Sequence, residues 1–208
     1  QANDSMESYY YENKGDGTFE EKALFLGLAF GQHGQGVSHM GPFASDVNSD
    51  GLPDLLIPDM DYGSLLMNKG QSFVDTIDSS GLAVICGQYT GWGAVVFDYD
   101  NDGSPDTFVA NGNAHHEYPE DAVLARGDGK GRFRDVSEAT GVGSLPSGVA
   151  PLLLDYDNDG DLDLFVSEVG PQDALVLGLK KGDHAHASLS AAAHKLLSSH
   201  TANVFFVQ

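Results

Sequence analysis

Three stretches of this chain repeat one acidic pattern: "DVNSDGLPD" from Asp46, "DYDNDGSPD" from Asp98 and "DYDNDGDLD" from Asp155. Each has Asp at position 1, Asp or Asn at 3, Asp at 5, Gly at 6 and Asp at 9. Each then runs directly into an apolar stretch, "LLIP", "TFVA" or "LFVS". The starts lie 52 and 57 residues apart. A fixed period of this size marks a chain built from stacked supersecondary units, and no fold without internal repetition accommodates it.

A second element interleaves with the first. "YYYENKGDGTFEE" (from Tyr9), "LLMNKGQSFVD" (from Leu65) and "VLARGDGKGRFRD" (from Val123) each join a strand-like run to an aromatic through a Gly-rich turn. Their aromatics, Phe19, Phe73 and Phe133, keep the same period, and "LVLGLKKGD" (Leu175–Asp183) reads as a degenerate fourth copy. A glycine stands five residues ahead of the first two acidic clusters, Gly41 and Gly93; the third has Ala150 there. Short Val/Leu/Phe runs bounded by Gly, Asp and Asn predict strands. Each period then reads strand, acidic loop, strand, strand, Gly turn, strand, the content of one propeller blade. The expected fold is all-β, with propeller-type blades of four antiparallel strands. About three to four blades fit in residues 1–183, too few complete acidic hairpins to close a ring. The chain is therefore expected to be a fragment or a subunit completed by assembly. Residues 184–208 form a tail in which Leu189, Ala193, Leu196 and Leu197 share one helical face, predicting a short helix. Amphipathic helical periodicity is absent before it.

Calcium takes six to eight oxygens from a flexible loop, and carboxylates on alternate residues can converge on one centre when a glycine permits the sharp turn. The predicted ligands are Asp46, Asn48, Asp50 and Asp54 with the carbonyl of Leu52; Asp98, Asp100, Asp102 and Asp106 with a backbone oxygen of Ser104; and Asp155, Asp157, Asp159 and Asp163 with the carbonyl of Asp161. Three Ca²⁺ sites are expected, the first weakest because it has one carboxylate fewer. An EF-hand needs a bidentate Glu at position 12, where this chain has Ile57, Val109 and Val166. Asp/Asn/Gly runs are also plain turn formers. Threefold recurrence in register favours the metal reading, since carboxylates packed this closely repel without a cation between them.

Charge narrows the partners. The chain carries 31 acidic and 10 basic residues, a net charge of -21. Nucleic acid and anionic membrane surfaces need Lys/Arg patches that this balance does not supply. A hydrophobic content of 41% is too high for a disordered acidic segment. No window reaches the length of a membrane span. The single cysteine, Cys86 in "LAVIC", excludes disulfide stapling and reads as a small buried hydrophobe. Gln1 is compatible with a mature terminus left by cleavage, and Asn3-Asp4-Ser5 matches a weak glycosylation sequon.

Gly91-Trp92-Gly93 through "VVFDYDNDGSPDTFVANG", followed by "VLARGDGKGRFRDVSEATGV", resembles the FG-GAP/VCBS repeat family, the blades of integrin-alpha-type β-propellers. Within it the chain is most similar to the cartilage acidic protein group. The resemblance spans roughly Tyr9 to Asp183. It implies Ca²⁺ in the loop joining the first two strands of a blade, and an extracellular or periplasmic, secreted setting. The last 25 residues do not look like that group's C-terminal domain.

No nucleophile elbow, phosphate loop or Cys–His pairing is present. The favoured function is a non-enzymatic calcium-binding module with structural, adhesive or protein-interaction roles, assembling through exposed blade edges with other chains or copies of itself, including into a filament. The alternative is a carbohydrate-active enzyme of lyase or dehydratase type on the same scaffold, with a glycan partner and His115, His116 and Tyr118 as loop candidates. His184, His186, His194 and His200, like His115 and His116, read as solvated rather than as a transition-metal site, since nothing in sequence ties them together. Arg126-Gly127-Asp128 falls in the Gly turn, where repeat register explains it without an adhesion receptor. Trp92, Phe97, Phe108 and Phe165 read as blade core.

Overall fold

The computed structural model describes residues 1–112, 120–144, 148–155, 158, 160–168 and 175–177. His115, His116, Tyr118, Asp157, Asp159 and the tail 184–208 lie outside the described residues. The chain is all-β with antiparallel sheets. A hairpin of β1 (Tyr11–Asn13) and β2 (Phe19–Glu21) comes first. A sheet then follows in the order β3 (Phe43–Ser45), β4 (Asp54–Ile57), β5 (Ser64–Asn68), β6 (Phe73–Asp75). The next comprises β7 (Gly91–Phe97), β8 (Asp106–Asn111), β9 (Val123–Gly127) and β10 (Phe133–Asp135). The last has β11 (Gly148–Leu154), β12 (Asp163–Glu168) and β13 (Leu175–Leu177). Neighbours in sequence are neighbours in the sheet, as in a propeller-type blade, and each acidic loop joins the first two strands of its sheet.

Between the sheets lie three apolar layers. Ala23, Leu28, Ile57 and Leu66 pack the first hairpin's helical turn onto the first full blade. Leu65, Met67, Ile77, Leu82, Val96, Val123 and Phe133 fill the space between the two four-stranded blades. Val95, Phe97, Phe108, Leu124, Leu164 and Val166 join the second of these to the last sheet. A blade covered on both faces has no solvent side, which is why every residue of β8 is buried, the polar Asp106, Thr107 and Asn111 as well as the apolar Phe108, Val109 and Ala110. Trp92 is half-buried, and its indole N–H donates to the Gly112 carbonyl at 2.6 Å.

The first strands of successive blades lie side by side. Gly41 and Gly93 form a parallel bridge, with the Gly41 N–H donating to the Trp92 carbonyl at 2.9 Å. A Cβ at Gly93 would sit 2.6 Å from Pro151 Cδ and 2.8 Å from the Val149 carbonyl oxygen, so only glycine admits the next strand. Ala150, the third counterpart, is exposed and carries its methyl without conflict.

Short helices stand ahead of the tail where no amphipathic periodicity marks them. Four short helical segments stand there: α1 (Ala23–Leu26), α2 (Ile77–Ser80), α3 (Leu82–Cys86) and α4 (Ser137–Thr140). None spans two turns, so none prints a 3.6-residue period in the sequence. The signal lies instead in a carboxylate two residues ahead of α1, α2 and α4. Glu21 accepts from the Ala23 N–H (2.7 Å), Asp75 from Ile77 (3.0 Å) and Asp135 from Ser137 (2.8 Å). The same three helices end on left-handed glycines, Gly27, Gly81 and Gly141. The apolar run holding Cys86 is thus helical; the residue keeps some exposed surface, while burial of its thiol pushes the pKa up to about 12.

Candidate metal centre

The first two acidic loops share one backbone. Position 4 has positive φ in both, 58° at Ser49 and 55° at Asn101, as does position 6, 86° at Gly51 and 88° at Gly103. The third loop repeats this at Asn158 (60°) and Gly160 (94°). Glycine at position 6 was legible as a turn. The left-handed residue at position 4 was not, although Asn and Ser are among the residues that tolerate it in turns.

Position 1 closes the loop on itself. Asp46 accepts from the N–H of Asp50 (3.0 Å) and Gly51 (2.8 Å). Asp98 accepts from Asp102 (3.0 Å) and Gly103 (2.8 Å). In the third loop Asp155 accepts from Gly160 at 3.2 Å. Position 9 ties the loop to the sheet. Asp54 accepts from the Val47 N–H (3.1 Å) and, in the next strand, from Asn68 (2.7 Å). Asp106 does the same with Tyr99 (2.9 Å) and Gly127 (2.7 Å). Both side chains are 0% exposed. Burial raises both carboxyls, Asp106 to about 7, against the pull of these N–H donors.

In the second loop the structure brings three predicted ligands together. One carboxylate oxygen each from Asp98, Asp100 and Asp106 lies within 4.8 Å of the others. Asp100 Oδ1 is buried and accepts no hydrogen bond from any described residue. A carboxylate oxygen pointed inward without a donor is costly unless a cation meets it, so these residues fit an oxygen-seeking divalent ion. Asp102 is placed differently. It lies against Arg126 Nη2 at 2.5 Å, and the same nitrogen reaches Asp100 Oδ2 at 2.9 Å. The Arg126 guanidinium holds the Asp102 carboxyl below the usual range. Sequence reasoning took Arg126 as a turn residue and missed this role; only strand pairing brings β9 beside the loop.

The first loop has Met67 at the place of Arg126. Asn48 and Asp50 bond each other there, through Asn48 Nδ2 to Asp50 Oδ2 (3.0 Å) and the Asp50 N–H to Asn48 Oδ1 (3.1 Å). Leu52 and Ser104 follow as the turn residues whose N–H groups donate to Asp50 (2.9 Å) and Asp102 (2.8 Å). In the third loop Asp161 is exposed and Asp163 buried at the start of β12.

A family model described as FG-GAP-like repeat matches residues 46–109 and again 98–166. The chain belongs to the FG-GAP-like repeat family. Both matches begin on an acidic cluster and end in the strand that follows the next one, β8 or β12, so each spans one full period of the repeat. Among curated relatives, cartilage acidic protein 1 of Xenopus tropicalis is 30% identical over 170 residues, covering 78% of this chain and 24% of the relative. The Mus musculus and Homo sapiens proteins of that name are 34% and 33% identical, each match covering 65% of this chain. The chain thus spans about a quarter or less of these relatives' lengths. A solved lectin of Agrocybe aegerita, described as recognising non-reducing terminal N-acetylglucosamine, matches with a TM-score of 0.47 and 20% identity over 88% of this chain and 45% of its own. Among the described residues no helix is long and apolar enough to cross a membrane.

Proposed function

We propose that this FG-GAP-like chain is an extracellular, non-enzymatic calcium-binding module whose blades serve as a scaffold for binding other protein chains. The observation that carries the reading is the convergence of Asp98, Asp100 and Asp106, with a buried Asp100 oxygen that no described donor meets. A bound Ca²⁺ supplies two positive charges and a demand for six to eight oxygens. Asp98 and Asp106 offer ligand atoms already fixed by backbone N–H groups, so little loop entropy is lost on loading. Asp100 offers the free oxygen. Arg126 balances the outer carboxylates and keeps the loop from splaying by self-repulsion. The extracellular setting follows from the likeness to proteins named for cartilage and from the millimolar calcium that fills weak oxygen sites outside cells. Edge strands, with their unpaired N–H and C=O groups, suit chain-to-chain pairing. The enzyme alternative rests on His115, His116 and Tyr118 alone.

Calorimetric titration with CaCl₂ tests the reading. Heat of binding is expected at neutral pH, and Asp100→Asn should weaken the second site by about tenfold or more while leaving the other loops unchanged. A chain that binds no calcium at millimolar concentration, or an Asp100→Asn chain that binds as tightly as the parent, contradicts it.

A further inference from the structure

The blade of β7–β10 carries every arginine of the sequence: Arg126, Arg132 and Arg134. Strand register places them on one face. Arg126 on β9 pairs directly with Arg134 on β10. Arg132 lies two residues before Arg134, about 7 Å away on the same side of an extended strand. Phe133, between them, turns into the apolar layer shared with the preceding blade, so the arginines turn the other way. All three line an open cleft of about 460 Å³ between the β9–β10 hairpin and the second acidic loop.

The repeat does not require these residues. At the places of Arg126 and Arg134 the preceding blade pairs Met67 with Val74, and Ser72 stands where Arg132 does. One blade thus has an apolar cross-strand pair where the next has two like charges, an arrangement that destabilises a sheet unless an anion meets them. Arg126 has counter-charges in Asp100 and Asp102. Arg132 and Arg134 are both exposed and form no ion pair among the described residues. Asp128, whose N–H donates to the Arg132 carbonyl, turns one carboxylate oxygen onto its own turn. That oxygen accepts from the N–H groups of Lys130 (2.8 Å) and Arg132 (3.1 Å). A face that departs from the repeat at a cost to stability has the mark of a binding site.

We propose that this cleft binds an extended acidic segment of another protein chain, whose carboxylates on alternate residues meet Arg132 and Arg134. The inference deepens the proposed interaction role and rests on it for a protein partner, not for calcium. An extended chain returns its side chains to one side every two residues, about 7 Å, which is the separation of the two arginines along β10. A guanidinium takes a carboxylate through two parallel N–H bonds. Two free cations at that spacing address a short segment, whereas a nucleic-acid duplex or an anionic bilayer needs a broader patch.

The probe is a short synthetic peptide alternating aspartate with threonine, blocked at both ends and added at low salt to ¹⁵N-labelled chain. The sequence has only three arginines, so each side-chain Nε–H signal is read separately. Those of Arg132 and Arg134 should shift, and binding should weaken with added NaCl. Arg132→Ser and Arg134→Val install what the preceding blade has at these places, so the sheet is kept. Together they should weaken binding by at least about tenfold. A peptide of the same composition with its aspartates consecutive should also bind more weakly, because only alternate carboxylates share a side. Unmoved arginine signals at millimolar peptide, equal binding of the consecutive-aspartate peptide, or equal binding by the double variant overturn the proposal. A sulfated disaccharide that shifts the same signals at lower concentration than the peptide would make a sulfated glycan the ligand and overturn it equally. Peptide-induced shifts in a chain that takes up no calcium leave this inference standing and remove the metal reading; calcium uptake without arginine shifts does the reverse.

Discussion

Asp100 and Asp106 sit in one loop but have separable tasks. Asp106 accepts two backbone N–H groups while fully buried, so it is part of the fold whether or not metal is present. Asp106→Asn should therefore destabilise the chain by about 1–3 kcal/mol even in chelator, by leaving a buried N–H without its carboxylate. Asp100 bonds only Arg126 among described residues, and its loss in chelator should stay within about 1 kcal/mol, the range of exposed ion pairs. Urea unfolding of both variants in chelator checks the contrast, and equal losses would refute it. A second residue-scale prediction concerns His39. Its ring nitrogens face Ser8 Oγ (2.9 Å) and Ser64 Oγ (3.1 Å), with the carboxylates of Asp59 and Asp75 as its nearest charges. Burial lowers its pKa despite those carboxylates. The unfolded chain binds the proton more readily, so the neutral imidazole stabilises the fold above the ordinary histidine value of about 6.5. That contribution is lost as pH falls below it. Thermal melts in chelator between pH 8 and 5 should show a decline on acidification that is shallower in His39→Asn; parallel curves would exclude the linkage.

At the scale of elements, the helical turns tie one blade to the next through their terminal glycines. Gly81 has φ of 90°, and a Cβ there would lie 2.8 Å from the Phe133 carbonyl oxygen; Gly17 has φ of 89° but nothing within 4 Å. Gly17→Ala should cost about 1–2 kcal/mol from the left-handed backbone alone, and Gly81→Ala clearly more, because β10 must move. Equal losses in denaturant melts would mean that this contact does not hold the blades together. The contrast also shows what was legible. Strand order, blade content and the loop glycines follow from a repeat that sequence prints directly. The helices escaped notice because their cue is a single carboxylate, Glu21, Asp75 or Asp135, rather than a periodic face. The role of Arg126 escaped because it depends on β9 lying two strands from the loop's start, and nothing local in "LARGDG" signals that distance. The inter-blade duty of Gly93 was visible only as an unexplained recurrence.

For the molecule as a whole, a net charge of -21, with 12 of the 31 acidic residues packed into three short loops, makes the compact state sensitive to cations. Each site filled at a hundred times its dissociation constant would add about 2.7 kcal/mol. Chelation should therefore lower the melting temperature, and added NaCl should recover part of that loss by screening; a melting temperature indifferent to calcium would speak against loaded cages. The most direct test is a crystallographic map of the chain grown in millimolar calcium, with anomalous differences to locate the ion. The account predicts a peak in the second loop about 2.3–2.6 Å from oxygens of Asp98, Asp100 and Asp106, and a weaker one in the first loop. A well-ordered second loop with no peak, Asp100 still facing inward, would contradict it.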